Sequence, residues 1–506
     1  MEISTPPWVR EAIFYQIFPD RFAKSDRLNK AQLNLEPWDS TPTTYGFKGG
    51  DLLGIVDHLD YLQDLGINAL YLTPIFASAS NHRYHTYDYY HVDPLLGGNN
   101  ALRELLDTAH KRGIRVILDG VFNHASRGFY QFQQTLENGA SSPYINWFHF
   151  NGNLLSSGLS PSAYPNTDQQ ILLNSGKSSL DILGYQAWNG LPALPKFNTD
   201  TPAVREFLWK VAEYWIKFGI DGWRIDVAKE IDDDSFYQEF RNLVKALNPD
   251  AYIVGELWQE SQRWLSGDQF DASMNYMLTA AILGFFIKSL DPMIFKAGDF
   301  NKYLHPLDSK QFAETIEYLL NLYSPEINSV MMNLLDSHDT PRFITTACND
   351  QTAYDLALLF VFTFIGAPCI FYGDEIGLNG GNDPECRRSF PWNQDRWDHT
   401  RLAYVKRLIH LRKTHEVLRT GAFSILFAKE DCFVFARQNT VETLLVGFNV
   451  SDQSKFLTLL LPESQINSSE MKTLFGKGTA SAKNGKLSLN IHARSGTLIA
   501  LQATQK

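Results

Sequence analysis

Eight short apolar segments recur along the chain, and helical periodicity follows most of them. The segments are 12–18, 67–72, 114–122, 220–227, 251–257, 270–276, 329–335 and 367–373. Near-continuous apolar strands are typical of a parallel sheet that is covered by helices. Eight alternating strand and helix units therefore predict an α/β chain folded as a (β/α)8 TIM barrel.

The intervening helices are readable from their apolar spacing. In the segment 203–218, Val204, Phe207, Val211 and Trp215 fall on one helical face. The segment 53–66 repeats that pattern and ends at a glycine, which is a frequent helix terminator.

Two departures from the rhythm divide the chain into domains. After the third strand, the segment before the next apolar run is far longer than a usual connection. The stretch 125–200 within it is rich in Asn, Ser, Gly and Pro. We predict an inserted domain there. After the last helix, alternating segments without helices predict an all-β sandwich domain over 418–506. The barrel would then comprise 1–124 and 201–417.

Composition excludes several classes of protein. The net charge of -11 and the lack of a long basic run argue against a nucleic-acid partner. No apolar run reaches the roughly 18 residues that a membrane span needs, so we expect no membrane partner. The N-terminus has no signal-peptide pattern, and the 4 cysteines show no CxxC spacing. A reduced, cytoplasmic protein fits these features.

Polar side chains stand where several predicted strands end. One such residue is weak evidence, because a single Asp at a strand-to-helix turn is more often a helix cap than a catalyst. In a TIM barrel, however, the carboxyl ends of the strands meet at one site. Convergence of carboxylates, an arginine and histidines from different strands is therefore the informative feature. These residues are Asp119, His124, Arg224, Asp226, Glu256, His338 and Asp339.

Converging carboxylates suit either a divalent metal or glycoside hydrolysis. Arg224 lies two residues from Asp226, so the two side chains share one side of a strand. A neighbouring guanidinium would repel a cation but would keep Asp226 ionised, as a nucleophile must be. Glu256 lies beside Leu257 and Trp258. A partly apolar setting of that kind favours the protonated form that a general acid needs.

Four blocks carry a resemblance to a known family. They are DGVFNH (119–124), GWRIDVAKE (222–230), GELW (255–258) and LLDSHDTPR (334–342). In order and spacing the chain resembles the alpha-amylase family, glycoside hydrolase family 13. That family combines a barrel, an insert after the third strand and a β-rich C-terminal domain, so the resemblance covers essentially the whole chain.

The resemblance implies a role for each matching residue. Asp226 would be the nucleophile, Glu256 the acid/base and Asp339 the stabiliser of the transition state. Arg224 would position Asp226. The residues expected to line the sugar subsite −1 are His85, Tyr87, His124 and His338.

Within the family, three features resemble the cyclomaltodextrinase, neopullulanase and maltogenic amylase group. They are LPKFN (194–198), Glu230 and GGNDPECRRSFPWN (380–393). By that resemblance Asp383 and Arg387 would hold donor-side sugars, and Trp258 would offer an aromatic face to the acceptor. The alternatives are that Arg387 forms a surface ion pair with Asp383 and that Trp258 is a core residue.

Many members of that group bind calcium near the first barrel loop. The matching stretch FAKSDRLNK (22–30) has Lys24 where an Asn is common. Oxygen ligands could still come from Asp26, Asn29, Gly49 and Asp51, or a lysine ammonium could replace the ion. We therefore expect no required cofactor and activity that survives chelation.

The sequence predicts a retaining hydrolase of α-1,4 bonds in maltooligosaccharides and cyclomaltodextrins, extending to starch and pullulan, through a covalent glycosyl-enzyme. The first alternative is a 4-alpha-glucanotransferase, which shares that intermediate and differs in its acceptor. The second is a catalytically silent glycan-binding scaffold, which would lack one of the three carboxylates. The expected partner is an α-glucan, and the expected assembly is a monomer or weak homo-oligomer.

Overall fold

The computed structural model of the protein describes residues 3–158, 160–295, 298–460, 469–483 and 486–503. Its largest sheet has eight parallel strands, one in each predicted apolar segment. A parallel bridge between Met274 and Met332 joins the two outer strands, so the sheet closes as a barrel. The predicted (β/α)8 fold is confirmed. In chain order the barrel strands are Phe14–Ile17, Ala69–Leu72, Arg115–Gly120, Gly222–Ile225, Tyr252–Gly255, Ala272–Ser273, Met332–Leu334 and Ala367–Phe371.

The barrel strands are short because they are buried on both faces. Every residue of Phe14–Ile17, Ala69–Leu72, Gly222–Ile225 and Tyr252–Gly255 is buried. Interior side chains fill the barrel and outward side chains pack against the helices. A short hairpin follows the second barrel strand and consists of Phe76–Ser78 and Thr86–Val92.

The helices lie where the apolar periodicity places them. The segment 203–218 is the helix Pro202–Phe218, and 53–66 forms two helices that end at Gly66, whose φ of 102° is left-handed. Among the described residues no helix is long and apolar enough to cross a membrane. The helices are Pro19–Phe22, Leu52–Asp57, Leu59–Leu65, Gly98–Lys111, Tyr130–Asn138, Gly152–Ser156, Thr167–Asn174, Ser179–Leu183, Pro202–Phe218, Asp234–Leu247, Tyr276–Phe286, Gly298–Asn301, Ser309–Leu322, Pro325–Asn328, Phe343–Thr346, Gln351–Thr363, His399–Thr414 and Val417–Thr420.

The segment after the third barrel strand is an insert with short helices around an aromatic core. Phe129 packs edge-on against Phe197, and Phe148 stacks on Phe197. The end of the insert returns to its start, since His124 bridges Lys196 in antiparallel fashion. The insert therefore stands directly on the loop that follows Asp119.

From Ala422 onward the described residues form strands and no helix, so the all-β C-terminal region that the sequence predicts is confirmed. Five strands form one antiparallel sheet and three form a second. Apolar side chains of both sheets, such as Val434 and Leu489, are buried in one cluster, which makes the pair a sandwich. The strands are Ala422–Lys429, Cys432–Gln438, Thr443–Asn449, Lys455–Leu460, Ser469–Gly476, Thr479–Lys483, Lys486–Ile491 and Ser495–Ala503.

Aromatic rings and one buried arginine join this sandwich to the barrel. Phe433 packs edge-on against Phe312 with centroids 4.9 Å apart. Arg437 donates to the carbonyl oxygens of Thr363 and Leu418 at 2.8 Å. Burial without a carboxylate partner lowers the pKa of Arg437 to about 9. The sandwich is thus fixed to the far side of the barrel from the strand ends that carry the polar residues.

Candidate active site

The predicted polar residues meet at the carboxyl ends of neighbouring barrel strands. Asp119 pairs with Arg224 in the register of the third and fourth strands. Asp226 directly follows the fourth strand, and Glu256 directly follows the fifth. All four side chains are buried. Parallel register alone therefore brings three carboxyl groups and one guanidinium together.

The guanidinium of Arg224 is shared by these three carboxylates. Its Nη1 lies 2.8 Å from Asp226 Oδ1 and 2.9 Å from Asp119 Oδ1. Its Nη2 lies 3.0 Å from Glu256 Oε2. One buried cation thus faces three buried acids, which leaves an excess of negative charge when all three are ionised.

Burial and crowding change the acidity of the carboxyl groups. Burial raises the pKa of Asp226 well above its ordinary value, and the neighbouring acids Glu256 and Asp119 add to the rise. Arg224 opposes the rise and so favours the ionised form that a nucleophile needs, as expected, but burial outweighs it. Burial likewise raises the pKa of Asp119 to about 6, against the opposing effect of Arg224. The excess negative charge is suited to a cationic, oxocarbenium-like transition state, which would neutralise it.

Glu256 is surrounded by hydrogen-bond donors. The backbone N–H of Val227 donates to Oε2 at 2.7 Å, and Trp258 Nε1 donates to Oε1 at 3.0 Å. The setting is nevertheless partly apolar, since Leu257 lies in the hydrophobic core and Trp258 packs against that core while its N–H faces the acid. Val227 has a left-handed φ of 39°, which is strained for a β-branched residue.

Asp339 stands on the opposite side of the site with its own partners. Its Oδ1 lies 3.2 Å from Arg387 Nη2, and its Oδ2 lies 3.1 Å from His338 Nε2. Arg387 also lies 3.0 Å from Asp383 Oδ1. Arg387 is buried, so it is an ion-pair partner of Asp383 without being a surface residue.

Tyr84 is a site residue that the sequence interpretation missed. Its hydroxyl donates to Asp119 Oδ2 at 2.9 Å, and its ring stacks on His338. Tyr87, which was expected there, is 40% exposed in the neighbouring hairpin, and the ring of His85 lies 4.9 Å from that of His82. The stretch YHTYDYYH contains several tyrosines, and the sequence does not show which of them enters the site. The structure does, because the hairpin strand begins at Thr86 and Tyr84 lies just before it.

His124 has one ring nitrogen aimed at the site without a partner. Asn123 Nδ2, which can only donate, lies 3.2 Å from His124 Nδ1, so the ring proton belongs on Nε2. Nε2 is buried and has no hydrogen-bond partner within the described ranges. Burial lowers the pKa of His124 to about 3, which keeps the ring neutral. Trp188 of the insert stacks on this ring at 5.3 Å and also escaped the sequence interpretation. A sugar hydroxyl would satisfy Nε2.

Two outer residues contact other parts of the chain. Glu230 lies 3.4 Å from Lys196, which belongs to the LPKFN stretch of the insert. Trp258 stacks on Tyr276 with centroids 3.6 Å apart. Trp258 is therefore packed on one face, while its N–H holds Glu256.

Two of the four residues proposed as calcium ligands contact a lysine ammonium. Asp26 and Asn29 are exposed. The other two oxygens are taken by an ammonium, because Lys30 Nζ lies 2.7 Å from Gly49 O and 2.6 Å from Asp51 Oδ2. The lysine at this position is Lys30 and not Lys24, whose ammonium lies over the ring of Trp38. Across the described ranges no cluster of three or more His, Cys, Asp or Glu residues could hold a metal ion.

Comparison with known proteins agrees with this geometry. Residues 16–399 match the alpha-amylase catalytic domain, and residues 421–499 match the alpha-amylase C-terminal domain. A cyclomaltodextrinase from a Bacillus species is 44% identical over 89% of this chain and 74% of its own. Neopullulanase 2 of Thermoactinomyces vulgaris is 38% identical over 98% of this chain and 78% of its own.

A solved structure is similar along the full chain. The acarbose-soaked crystal structure of the debranching enzyme of Nostoc punctiforme superposes on this chain with a TM-score of 0.86, at 45% sequence identity. The match covers 98% of this chain and 100% of that one. Both domains of this chain thus have counterparts among proteins named as glycan-cleaving enzymes. The chain belongs to the alpha-amylase family and is a glycoside hydrolase of α-glucans, similar to cyclomaltodextrinase, neopullulanase and debranching-enzyme members of that family.

Proposed function

We propose that the protein hydrolyses α-1,4 bonds of maltooligosaccharides and cyclomaltodextrins and retains the anomeric configuration. The observation that carries the proposal is that Asp226 and Glu256 both contact the guanidinium of Arg224, at 2.8 Å and 3.0 Å. Retaining enzymes place their two carboxyl groups about 5–5.5 Å apart, and inverting enzymes place them about 6.5–9.5 Å apart. Two carboxyls that share one guanidinium fit the closer pair.

The reaction uses the two acids in turn. The protonated carboxyl of Glu256 gives its proton to the glycosidic oxygen while Asp226 attacks the anomeric carbon. The bond to the leaving sugar breaks, and a covalent glycosyl ester of Asp226 forms. Glu256, now ionised, removes a proton from water, the water oxygen attacks the anomeric carbon, and the ester breaks to release Asp226. Asp339 and His124 would bind the hydroxyls of the sugar in the site.

The stereochemical test is the anomer that forms first. We expect proton NMR of maltotriose hydrolysis to show the α-anomer before mutarotation. The same incubation measures free glucose and maltose against longer products. Chain-length redistribution in excess of hydrolysis would instead favour the 4-alpha-glucanotransferase alternative, and β-anomer first would overturn the retaining proposal.

A second candidate is cleavage of α-1,6 bonds. It is favoured by the debranching enzyme of Nostoc punctiforme, whose chain is matched along 100% of its length at 45% identity. Panose separates the two activities, because both release glucose but leave different disaccharides. Cleavage of the α-1,6 bond leaves maltose, and cleavage of the α-1,4 bond leaves isomaltose. Pullulan gives a second measurement on a polymer.

We infer that substrates are small glucans met in a reduced compartment. The cysteines Cys348, Cys369, Cys386 and Cys432 are all free thiols, which supports a cytoplasmic site. The buried acids lie at the floor of a site walled by the insert, which supports compact substrates over granular starch. We expect a monomer or a weak homo-oligomer, and light scattering across a concentration series measures which.

The proposal includes activity without calcium. The ammonium of Lys30 supports it, since that group already neutralises Asp51 and satisfies the carbonyl of Gly49. Asp51 also caps the helix Leu52–Asp57 through Gly54 N, so one buried carboxylate ties the first barrel loop to the helix behind it. A bound divalent ion would have to displace the lysine.

A further inference from the structure

A hydrogen-bonded chain runs from the first barrel strand to the nucleophile, and His338 is its central link. Gln16 Nε2 lies 2.7 Å from His338 Nδ1, and both side chains are buried. An amide nitrogen can only donate, so His338 Nδ1 must accept. In a neutral imidazole the ring proton then belongs on Nε2.

The groups on the other side of the ring demand the same tautomer. Tyr84 Oη lies 2.6 Å from His338 Nε2 and 2.9 Å from Asp119 Oδ2. Because a carboxylate only accepts, Tyr84 makes both hydrogen bonds only when its single proton goes to Asp119 and His338 Nε2 carries its own hydrogen. Asp339 Oδ2 lies 3.1 Å from the same nitrogen, and a carboxylate only accepts. Both neighbours therefore require a hydrogen on His338 Nε2.

We propose that Gln16 is a positioning residue, which fixes His338 as the neutral Nε2–H tautomer and thereby directs the Tyr84 hydroxyl proton to Asp119. Asp119 in turn shares Arg224 with Asp226. The amide of Gln16 is thus connected to the nucleophile by successive hydrogen bonds through His338, Tyr84, Asp119 and Arg224. The inference rests on the proposed hydrolytic function for its kinetic readout, but the tautomer itself is measured without substrate.

A purely packing role does not account for Gln16. Its Oε1 is buried and has no hydrogen-bond partner in the part of the chain that the structure describes. A buried unpaired carbonyl costs about 1–3 kcal/mol, so an apolar side chain of similar length would stabilise the strand more. Of the two polar atoms of the Gln16 amide, only Nε2 makes a stabilising contact among the described residues, and that contact is with His338.

The surroundings of His338 hold the ring neutral. Burial lowers the pKa of His338 well below its ordinary value, and the cations Arg387 and Arg224 lower it further. The charged groups that face His338 are Asp339, Arg387, Arg224 and Glu256. With no charge change available at working pH, the remaining variable is which nitrogen carries the proton.

The test compares Gln16→Glu with Gln16→Met. Glutamate accepts from His338 Nδ1 and so favours the opposite tautomer or the imidazolium. Methionine keeps the length and removes the donor. Nitrogen-15 NMR of histidine-labelled protein reads the tautomer, and His338→Gln assigns the signal. We expect an unprotonated Nδ1 in the wild type and a protonated Nδ1 in Gln16→Glu.

Kinetics supply the second readout. A wrong tautomer set by a neighbouring residue costs up to about 10^4-fold in kcat in a serine protease triad. We expect kcat on maltotriose to fall at least about 10-fold in Gln16→Met with KM little changed, and Gln16→Glu to acquire an altered pH profile. Ile17→Val, in the same strand, is the matched packing control.

The outcomes separate the inference from the proposed function. A protonated Nδ1 in the wild type, or wild-type kcat at every pH in Gln16→Met, would overturn the role of Gln16 whatever the substrate. If Gln16→Glu fails to fold, the Gln16→Met result and the wild-type spectrum still decide. A wild type with the expected tautomer but no glucan hydrolysis would overturn the proposed function alone.

Discussion

Asp226 and Arg224 form an ion pair of 2.8 Å within a single strand end. Residues two apart in a strand point to the same side, so the pair is built into the local sequence before any tertiary contact forms. The same guanidinium also binds Asp119 and Glu256. The nucleophile and the acid are therefore held against one rigid, permanently charged group.

The first prediction concerns the two catalytic acids. Asp226→Asn should reduce kcat by at least about 10^4-fold on every substrate, because no other group can form the ester. Glu256→Gln should lose about 10^2–10^4-fold on maltotriose, since proton transfer to the leaving oxygen is lost. Measured kcat values on natural and aryl glycosides check both.

The aryl glycoside is the internal control. A nitrophenolate leaves without protonation, so Glu256→Gln should retain much more of its glycosylation rate on a nitrophenyl maltoside than on maltotriose. Asp226→Asn should be equally inactive on both. Equal losses in the two variants on both substrates would reverse or refute the assignment of roles.

The second prediction concerns stability. The site holds three buried carboxylates against one guanidinium, and burial raises the pKa of Asp226. Asp226→Asn removes one of the uncompensated charges, so its Tm should be higher than that of the wild type, by a few degrees for about 1 kcal/mol. Calorimetry at neutral pH measures the shift. A Tm below the wild type would show that Arg224 needs all three acids.

The barrel and its acids were predictable because each depends on local pattern. Buried parallel strands read as apolar runs, and the carboxyl ends of such strands meet by topology. Asp226, Glu256 and Asp339 could therefore be assigned from their positions after the fourth, fifth and seventh strands. The motif blocks added the roles.

The unpredicted contacts depend on distances that no local pattern encodes. Tyr84 enters the site because the hairpin strand begins at Thr86. The sequence alone does not distinguish it from the other tyrosines nearby. Lys30 reaches Asp51 across a loop whose course is set by tertiary packing. The hydrogen bond to Glu256 was not predicted, because only the tertiary fold turns the indole N–H of Trp258 toward the acid.

The third prediction concerns acid stability. An unfolded histidine has a pKa near 6.5, whereas folded His124 has a pKa of about 3. Between those values the unfolded chain binds a proton that the folded protein refuses, so stability falls as pH drops below about 6.5. From pH 7 to pH 5 this one residue costs about 2 kcal/mol.

The variant His124→Gln should remove that part of the loss. Urea unfolding at pH 7 and pH 5 gives the free energy of unfolding of the wild type and of His124→Gln. The loss between the two pH values should be smaller in the variant. His91, which is exposed on the hairpin, supplies the control variant His91→Gln. The same acid loss in His124→Gln and in the wild type would contradict the assignment.

The fourth prediction concerns metal removal. Because Lys30 neutralises Asp51, EDTA and added calcium should leave the Tm and the activity of the wild type unchanged. Lys30→Asn removes the ammonium, leaves Asp51 buried without its cation and adds a carbonyl oxygen. Its Tm should fall, and calcium should restore part of the fall.

Lys24→Asn is the matched control for that experiment, since Lys24 contacts the ring of Trp38 and not Asp51. Its Tm should not respond to calcium. A wild-type protein that loses activity or several degrees of Tm in EDTA, and recovers both with calcium, would refute the replacement of the ion by Lys30.

The last prediction separates the two roles of Trp258. Its Nε1 donates to Glu256 at 3.0 Å, and its ring stacks on Tyr276. Trp258→Phe keeps an aromatic ring and removes only the donor. A hydrogen bond to a charged group contributes about 1.5–3 kcal/mol, which corresponds to roughly 10–100-fold in rate when it acts in the transition state. We expect that loss in kcat, with KM nearly unchanged.

Trp258→Ala removes the aromatic face as well. If that face binds the acceptor sugar, KM for maltotetraose should rise and transfer to added glucose should fall, beyond the effect of Trp258→Phe. Tyr276→Phe keeps the stack and tests whether packing alone matters. Equal kinetics for Trp258→Phe and the wild type would mean that the bond to Glu256 plays no part in catalysis, and equal kinetics for the Phe and Ala variants would make Trp258 a core residue.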